Sequence, residues 1–297
     1  MTTYLISTED VSVMEVVTAE IEGTGGIRLF VRDHRPQPRG QSQAGEPTPT
    51  FLCVHGLGEH GGRYQHFAEW LSERGWRVII ADLRGHGRSA GTRTHVLSFE
   101  EYPLDLGILW RHFHLEKRST VLFGHSMGGL IAVRAVQTGS VDPAALVLTS
   151  PLLGLKLRVN PIKRLLGQLL VQVLPKTRFR NGLNPGNMTR DPRFAEERRN
   201  DPLIVRTVTA SWFFAMQRAI TLAFREAEKI DIPVLAFRGM ADETTDGDVL
   251  STWLTRTNSP SRELVSLPMH VHEVFHESDW SDSMERMAQW LAQIGVR

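Results

Sequence analysis

The architecture of the chain follows from residues 121–133, which read Val121-Leu122-Phe123-Gly124-His125-Ser126-Met127-Gly128-Gly129-Leu130-Ile131-Ala132-Val133. The first three residues have strand character, and the last four begin an apolar helical pattern. Between them stands G-x-S-x-G, which in this setting forms a sharp turn that projects the serine hydroxyl from the carboxyl edge of a sheet. We therefore predict Ser126 as a nucleophile, with the backbone N–H of Met127 directed into the same space.

A second glycine-rich turn, His55-Gly56-Leu57-Gly58, follows an earlier strand-like run. When a serine attacks an acyl group, negative charge develops on the carbonyl oxygen, and each backbone donor placed there beforehand stabilises it by roughly 3–4 kcal/mol. One donor is expected from the residue after the nucleophile and the other from a loop of this kind. We predict the N–H groups of Leu57 and Met127 as these donors.

A serine hydroxyl reacts only if a base is near and a third group orients that base. With this turn, the expected order along the chain is serine, acid, histidine. Asp242 comes shortly after the strand-like run 233–237 and the turn residue Gly239. It is the predicted acid because it is the first carboxylate after that turn, and its close rivals are Glu243 and Asp246.

The base is expected in the loop after the last strand-like run, residues 263–267. His270 and His272 both lie in that loop, and position alone leaves both open. The stretch His272-Glu273-Val274-Phe275-His276 also spells H-E-x-x-H, a zinc-peptidase pattern that needs both histidines on one helical face. Here the helix is expected to begin only near Asp279, and zinc chemistry would leave the serine turn without purpose. We therefore expect no metal and no organic cofactor.

Strand-like runs and helical patterns alternate along most of the chain, from residues 51–55 to a final helix near residues 282–294. Two earlier runs, 16–22 and 27–34, flank a glycine-rich turn and predict a hairpin. An alternation of this kind indicates an α/β fold with a mostly parallel sheet and helices on both faces.

Residues 152–205 interrupt the alternation, because no strand-like pattern occurs there. Asn160 is a suitable N-cap for a helix that Pro175 would end. Seven apolar residues share one face of that helix: Ile162, Leu165, Leu166, Leu169, Leu170, Val173 and Leu174. That face either packs on the core or meets lipid or an acyl chain. We predict a helical cap at residues 152–205, inserted into a core of residues 1–151 and 206–297.

The composition limits the classes of function. The 297 residues carry 34 Lys and Arg against 33 Asp and Glu, so no positive excess indicates a nucleic-acid partner. A single cysteine, Cys53, cannot form an internal disulfide. No signal-peptide pattern starts the chain, and no apolar run reaches the roughly 18 residues of a membrane-spanning helix. We expect a cytoplasmic protein, with the cap as the candidate for peripheral contact with a membrane.

Five stretches in this order resemble the monoacylglycerol lipase and lysophospholipase branch of the α/β-hydrolases. They are residues 55–64, 82–89, 124–129, 239–242 and 272–277. The resemblance implies the α/β-hydrolase fold with a cap over an acyl-chain tunnel. It also selects His272 over His270 as the base, because family members carry a similar His-Glu stretch that ends in Glu five residues later.

The resemblance further implies the type of substrate, a small carboxylic ester of lipid type such as a monoacylglycerol or a lysophospholipid. A Ser-His-Asp triad would cleave it through an acyl-enzyme. Glu59 and Arg63 would then help to hold the polar head group. His125, next to the nucleophile, is the remaining candidate substrate-binding residue.

Three other functions stay open besides the zinc peptidase. The first is a general short-chain carboxylesterase. The second is a prolyl aminopeptidase, which would need an acidic cap pocket for the substrate amine. Asp191 and Glu196-Glu197 supply acid in the cap, although their arginine-rich neighbours favour a solvated face. The third is a non-catalytic binding protein, which would not need the complete set of reactive residues.

Overall fold

The computed structural model describes residues 14–37, 48–156 and 171–296. Its strands are β1 (Met14–Glu22), β2 (Arg28–Pro36), β3 (Thr50–Val54), β4 (Arg77–Ala81), β5 (Thr120–His125), β6 (Ala145–Thr149), β7 (Arg178–Arg180), β8 (Thr207–Thr209), β9 (Val234–Gly239) and β10 (Arg262–Leu267). Eight of them form one sheet in the order β1-β2-β4-β3-β5-β6-β9-β10. Strands β1 and β2 pair antiparallel, as the predicted hairpin requires, and β2 also pairs antiparallel with β4. The six neighbouring strands β4, β3, β5, β6, β9 and β10 are parallel to one another.

Helices cover both faces of this sheet. The described helices are α1 (Gln65–Ser72), α2 (Glu101–His112), α3 (Met127–Gln137), α4 (Pro192–Asn200), α5 (Ala210–Arg225), α6 (Gly247–Thr255) and α7 (Trp280–Gln293), and all but α4 contribute residues to the apolar layers on the two faces. Leu52 and Val54 of β3 lie in an apolar cluster with residues of α2, α3, α5 and α6, whereas Phe51 and Cys53 face α1 and α7. Alternate residues of a strand therefore point into two apolar layers on opposite faces of the sheet. This explains why all six residues of β5 are buried. The predicted fold class is confirmed.

Two elements differ from the sequence prediction. Residues 152–205 were expected to hold no strand, yet β7 lies there and pairs antiparallel with β8. All three side chains of β7 are exposed, so the strand has no alternation that a sequence pattern could reveal. The second element is α5, a helix of 16 residues that the sequence analysis did not predict.

The apolar helix predicted between Asn160 and Pro175 falls mostly on residues 157–170, outside the described residues. At its described end, the side chains of Val173 and Leu174 are exposed. Further along this segment α4 begins at Pro192, and the Asp191 carboxylate caps it by accepting from the N–H of Arg193. None of the helices in the three described ranges combines the length and apolar character that crossing a bilayer requires.

Candidate active site

The turn between β5 and α3 places Ser126 at the carboxyl edge of the sheet in a strained conformation, with φ 53° and ψ −117°. Such a turn is possible because its glycines lack side chains. A Cβ at Gly124 would lie 2.6 Å from the carbonyl oxygen of Gly128, and a Cβ at Gly128 would lie 2.1 Å from that of Val54. The backbones of β5, α3 and β3 are therefore in direct contact, and this close packing fixes the direction of the Ser126 side chain.

Ser126, His272 and Asp242 form one hydrogen-bonded chain. The Ser126 hydroxyl lies 2.9 Å from Nε2 of His272, and Nδ1 of the same ring lies 2.9 Å from Oδ2 of Asp242. Since a carboxylate can only accept, Nδ1 carries the proton and Nε2 is left to accept from the serine. The three residues predicted from distant parts of the chain thus meet in the geometry that proton transfer from a serine requires.

Asp242 is held as an anion by its own loop. Its Oδ1 accepts from the N–H groups of Thr244 at 2.7 Å and Thr245 at 3.2 Å, and its Oδ2 accepts from the Thr245 hydroxyl. Burial raises the pKa of Asp242, but the hydrogen bond and charge of His272, with the threonine contacts, lower it further and leave the pKa well below its usual range. The Asp242 carboxylate is therefore ionised under all conditions in which His272 can act as a base.

The rival residues have other partners. Glu243 bonds the side-chain amide of Asn187. Asp246 caps α6 by accepting from the N–H groups of Asp248 and Val249. His270 points to Asp279, with 3.0 Å between Nε2 and Oδ1. Only Asp242 and His272 of the competing candidates are joined to the serine.

The H-E-x-x-H stretch does not have the geometry of a zinc peptidase. Residues Val274–His276 form a single 3-10 turn instead of an α-helix. His276 Nε2 lies 3.0 Å from the backbone oxygen of Arg63, while His272 bonds Asp242 and Ser126. The two histidines therefore serve different partners, and no group of three potential metal ligands occurs within the described part of the chain.

The loop after β3 is fixed by a buried neutral histidine. His55 accepts the N–H of Leu83 at Nε2 (2.9 Å), and its Nδ1 donates to the Gly56 oxygen (2.8 Å). Burial lowers the pKa of His55, and nearby carboxylates oppose that shift only in part. The N–H groups of Leu57 and Met127 have no acceptor among the residues that the structure describes. Since Met127 opens α3, its N–H also lies at the positive end of a helix.

Four buried charges lie beside this loop and form the cluster Glu59, Arg63, Glu273 and Arg198, which we call the ionic cluster. Arg63 bonds Glu59 and contacts both oxygens of Glu273, at 3.0 and 2.7 Å. Arg198 Nη1 lies 3.0 Å from the same carboxylate. Burial raises the pKa of Glu59 and of Glu273, but the two guanidinium groups outweigh it and hold both well below their usual values.

The ionic cluster also shapes the loop that carries Leu57. Oε1 of Glu59 accepts the N–H of Gly56 at 2.6 Å and the hydroxyl of Tyr64 at 2.9 Å. Glu59 therefore has its oxygens occupied, and Arg63 is engaged by two carboxylates. Their predicted contact with a substrate head group stays a prediction; the contacts described here support the loop.

His125 lies beside the base, with 5.0 Å between the centroids of its ring and the His272 ring. Its Nδ1 is 3.0 Å from the hydroxyl of Thr149. Burial lowers the pKa of His125 to about 4, so the ring is neutral at pH 7. The neutral ring of His125 therefore lines the cavity beside His272 and adds no charge to it.

The cavity above Ser126 is small, about 10 Å³. It is lined by Gly56, Leu57, Glu59, His125, Ser126, Leu183, Met188, Arg198, His272 and Glu273. This is room for about one water molecule. Leu183, Met188 and Arg198 come from residues 171–205, so this part of the chain forms one wall of the cavity.

Backbone and polar contacts hold that segment against the sheet. The N–H of Val205 donates to the oxygen of Gly58 at 2.8 Å, and the N–H of Glu273 donates to the oxygen of Met188 at 2.7 Å. His60 Nε2 lies 2.6 Å from Oδ2 of Asp201, next to α4. These contacts and the residues Leu183, Met188 and Arg198 were not predicted, because no spacing pattern in the sequence marks them.

Known proteins are similar to this chain in sequence, and solved structures are similar to it in fold. The Hydrolase_4 family, described as "Serine aminopeptidase, S33", matches residues 45–279. Phospholipase YtpA of Bacillus subtilis (strain 168) is 30% identical over 246 residues, which are 81% of this chain and 93% of that protein. The monoglyceride lipase of Homo sapiens is 29% identical over 273 residues, 85% of this chain and 86% of that protein.

A solved structure is similar over nearly the whole chain. The monoacylglycerol lipase of Paleococcus ferrophilus matches with a TM-score of 0.77 and 27% identity, covering 95% of this chain and all of that one (100%). The likeness therefore extends through the core and into the segment above the site.

Proposed function

Because this chain belongs to the Hydrolase_4 family of α/β-hydrolases, we propose that it cleaves carboxylic esters of lipid type, with Ser126 as nucleophile, His272 as base and Asp242 as the supporting acid. One observation carries the proposal: the continuous hydrogen-bonded chain from the carboxylate through the ring to the serine hydroxyl. The relatives named phospholipase and monoglyceride lipase support an ester of a glycerolipid as the substrate.

The reaction follows from the positions of the donors and acceptors. Ser126 Oγ attacks the ester carbonyl carbon while Nε2 of His272 takes the hydroxyl proton, and Asp242 stabilises the imidazolium. The N–H groups of Leu57 and Met127 receive the oxyanion. The C–O bond to the alcohol then breaks, and the alcohol leaves with the proton from His272. Water attacks the acyl-enzyme by the same route in reverse and frees the acid and the serine.

Residues 152–205 are proposed as the cap that selects the acyl chain. Leu183 and Met188 contribute apolar surface to the cavity from this segment. In the same segment, the apolar side chains of Val173, Leu174 and Phe179 are exposed, with 77%, 57% and 42% of their surface accessible. Exposed apolar side chains suit contact with a lipid surface, which we propose as the peripheral membrane contact of the cap.

The family description names an aminopeptidase, which is the alternative function. Binding the amine of a peptide would need an unpaired carboxylate at the cavity. Both carboxylates that line it, Glu59 and Glu273, are already paired with arginine. Asp191 caps α4 and bonds Arg193, so it is also engaged. The charges at the site therefore favour an ester over a peptide with a free amine.

The test is a substrate panel on the wild type and two variants. The panel comprises 1-acylglycerols and lysophospholipids of graded chain length, short p-nitrophenyl esters and proline p-nitroanilide. We expect glycerolipid esters to be cleaved fastest and Ser126→Ala to lose about 10⁴-fold or more of kcat. Ser150→Ala is the matched control, since Ser150 is buried at the end of the adjacent strand.

Retained turnover in Ser126→Ala would refute the proposed nucleophile. Fast cleavage of short esters with poor cleavage of longer glycerolipids would identify a carboxylesterase instead. Cleavage of the proline anilide as the best substrate would establish the aminopeptidase.

A further inference from the structure

Helix α4 contacts the core through the ring of Phe194, which lies 4.9 Å from the ring of His66 and 5.0 Å from that of His276, and through the charged side chain of Arg198. Arg198 is the one residue of this nine-residue helix whose side chain is buried. A surface helix ordinarily packs by an apolar stripe, and arginine is among the residues least often buried. Its neighbour Arg199, one position further along the same turn, is exposed. The buried guanidinium of Arg198 therefore needs acceptors for its N–H donors.

Within the ionic cluster, Glu273 satisfies only part of the hydrogen-bonding capacity of Arg198. Both oxygens of Glu273 already accept hydrogen bonds from Arg63. Arg198 adds a charge contact at 3.0 Å to Oε1 of Glu273, and none of the hydrogen bonds among the described residues uses a donor of Arg198. A guanidinium has five N–H donors. Most donors of Arg198 therefore have no acceptor among the described residues.

These donors are placed at the reaction cavity. Arg198 lines it together with Ser126 and Leu57, so its guanidinium shares the space that a substrate bound at the serine would enter. Among the described residues that line the cavity, Arg198 is the one arginine or lysine, and burial keeps His125 neutral. A planar fork of donors in a buried site suits the two oxygens of a phosphate, which it can bind in a bidentate manner.

We propose that Arg198 is the specificity-determining residue for the head group and that it binds the phosphate of lysophospholipid-type esters. The proposal rests on the ester hydrolysis proposed above. Nη1 keeps its contact with Glu273, while the remaining donors bind the phosphate oxygens. The charge of the two carboxylates in the ionic cluster is then balanced by Arg63 and Arg198, and the phosphate is bound by donors rather than by excess charge.

The experiment compares two substrates that differ only in the head group, 1-decanoylglycerol and 1-decanoylglycero-3-phosphate, below their aggregation concentrations. The measured quantity is the ratio of kcat/KM for the phosphate ester to kcat/KM for the neutral ester. We expect Arg198→Leu to lower this ratio about 10-fold or more, through KM of the phosphate ester. Arg198→Lys keeps the charge but not the fork, and should give an intermediate ratio.

Arg199→Leu is the matched control, because it removes the same charge from the same turn of α4. Its ratio should stay within about twofold of the wild type. If Arg198→Leu lowers both substrates by one common factor, Arg198 is only an anchor of the cap and the proposal is wrong. If Arg198→Leu does not fold, the ratio in Arg198→Lys decides. Failure of the wild type to cleave either ester would contradict the proposed function itself.

Discussion

The two sides of the candidate site are held in place by different interactions. On the sheet side, Ser126, Asp242 and His272 follow strands whose side chains lie in two apolar clusters. On the cap side, the buried side chains described between residues 171 and 205 are two apolar and three polar ones: Met188, Ile204, Thr189, Asp191 and Arg198. Apolar packing without voids gives a single arrangement, whereas a few directional contacts can be broken and remade. The sheet side is thus suited to hold reacting groups, and the cap side to open.

Asp242→Asn should give the largest effect on the sheet side. The amide cannot hold the Nδ1–H tautomer of His272 as the carboxylate does, so kcat should fall about 10⁴-fold with little change in the fold. The rival Glu243 supplies the control, and Glu243→Gln should remain near wild-type activity. Steady-state ester hydrolysis measures both, and equal losses in the two variants would contradict the assignment of the acid.

Gly128→Ala tests the packing of the sheet side. The added Cβ would lie 2.1 Å from the carbonyl oxygen of Val54, a backbone atom that cannot move aside alone. We expect the free energy of unfolding to fall by about 3 kcal/mol, the upper part of the range for overpacking. Gly139→Ala is the control, because its Cβ would meet no heavy atom within 4 Å and only its positive φ is strained. Chemical denaturation of both variants gives the difference.

Gly58→Ala tests the contact between the sheet side and the cap. Gly58 has φ +72°, and a Cβ there would lie 2.2 Å from the oxygen of Val205. The cap residue can move away, so we expect a smaller loss of about 1–2 kcal/mol, together with faster proteolysis of residues 171–205. Gly75→Ala has the same kind of strain, with φ +86° and open space around it, and should leave proteolysis unchanged.

Asp201→Asn should give the smallest effect. Burial raises the pKa of Asp201, but the hydrogen bonds from His60 and from the N–H of Leu203, together with the charges of His60 and Arg63, outweigh it, and the net shift is downward. A carboxyl with a lowered folded-state pKa stabilises the protein above its ordinary pKa of about 4, and this contribution disappears as the pH falls through that range. The Tm difference between wild type and variant should therefore be small at pH 7 and shrink towards pH 3. Asp231→Asn, at an exposed position, should show no such trend.

The sequence predicts the sheet side well because its signals are local. A serine between two glycines, a strand before it and a helix after it determine one turn, whatever the rest of the chain does. The order of serine, acid and histidine then narrows the search for the partners. Local position alone did not separate His270 from His272, since both follow the same strand, and the hydrogen bonds across the chain distinguish them.

The structure of the cap side could not be predicted from the sequence, for a physical reason. Strand β7 exposes all its side chains, so no alternation marks it. Arg198 carries no local sign of burial, because its burial depends on a carboxylate 75 positions away in the chain, Glu273. Helix α5 is a different case: Trp212, Ala215, Met216, Ala219 and Ala223 are buried at helical spacing, so its pattern was present in the sequence.

The cavity of about 10 Å³ has a kinetic consequence. We expect a reagent that phosphonylates the proposed nucleophile to react only after the proposed cap has moved, so its rate should rise with concentration and then reach a plateau set by the opening step. Reagents of different size but equal leaving group should share that plateau. The resting enzyme would thus control its own reactivity by how often it opens, and not by how strongly it attacks.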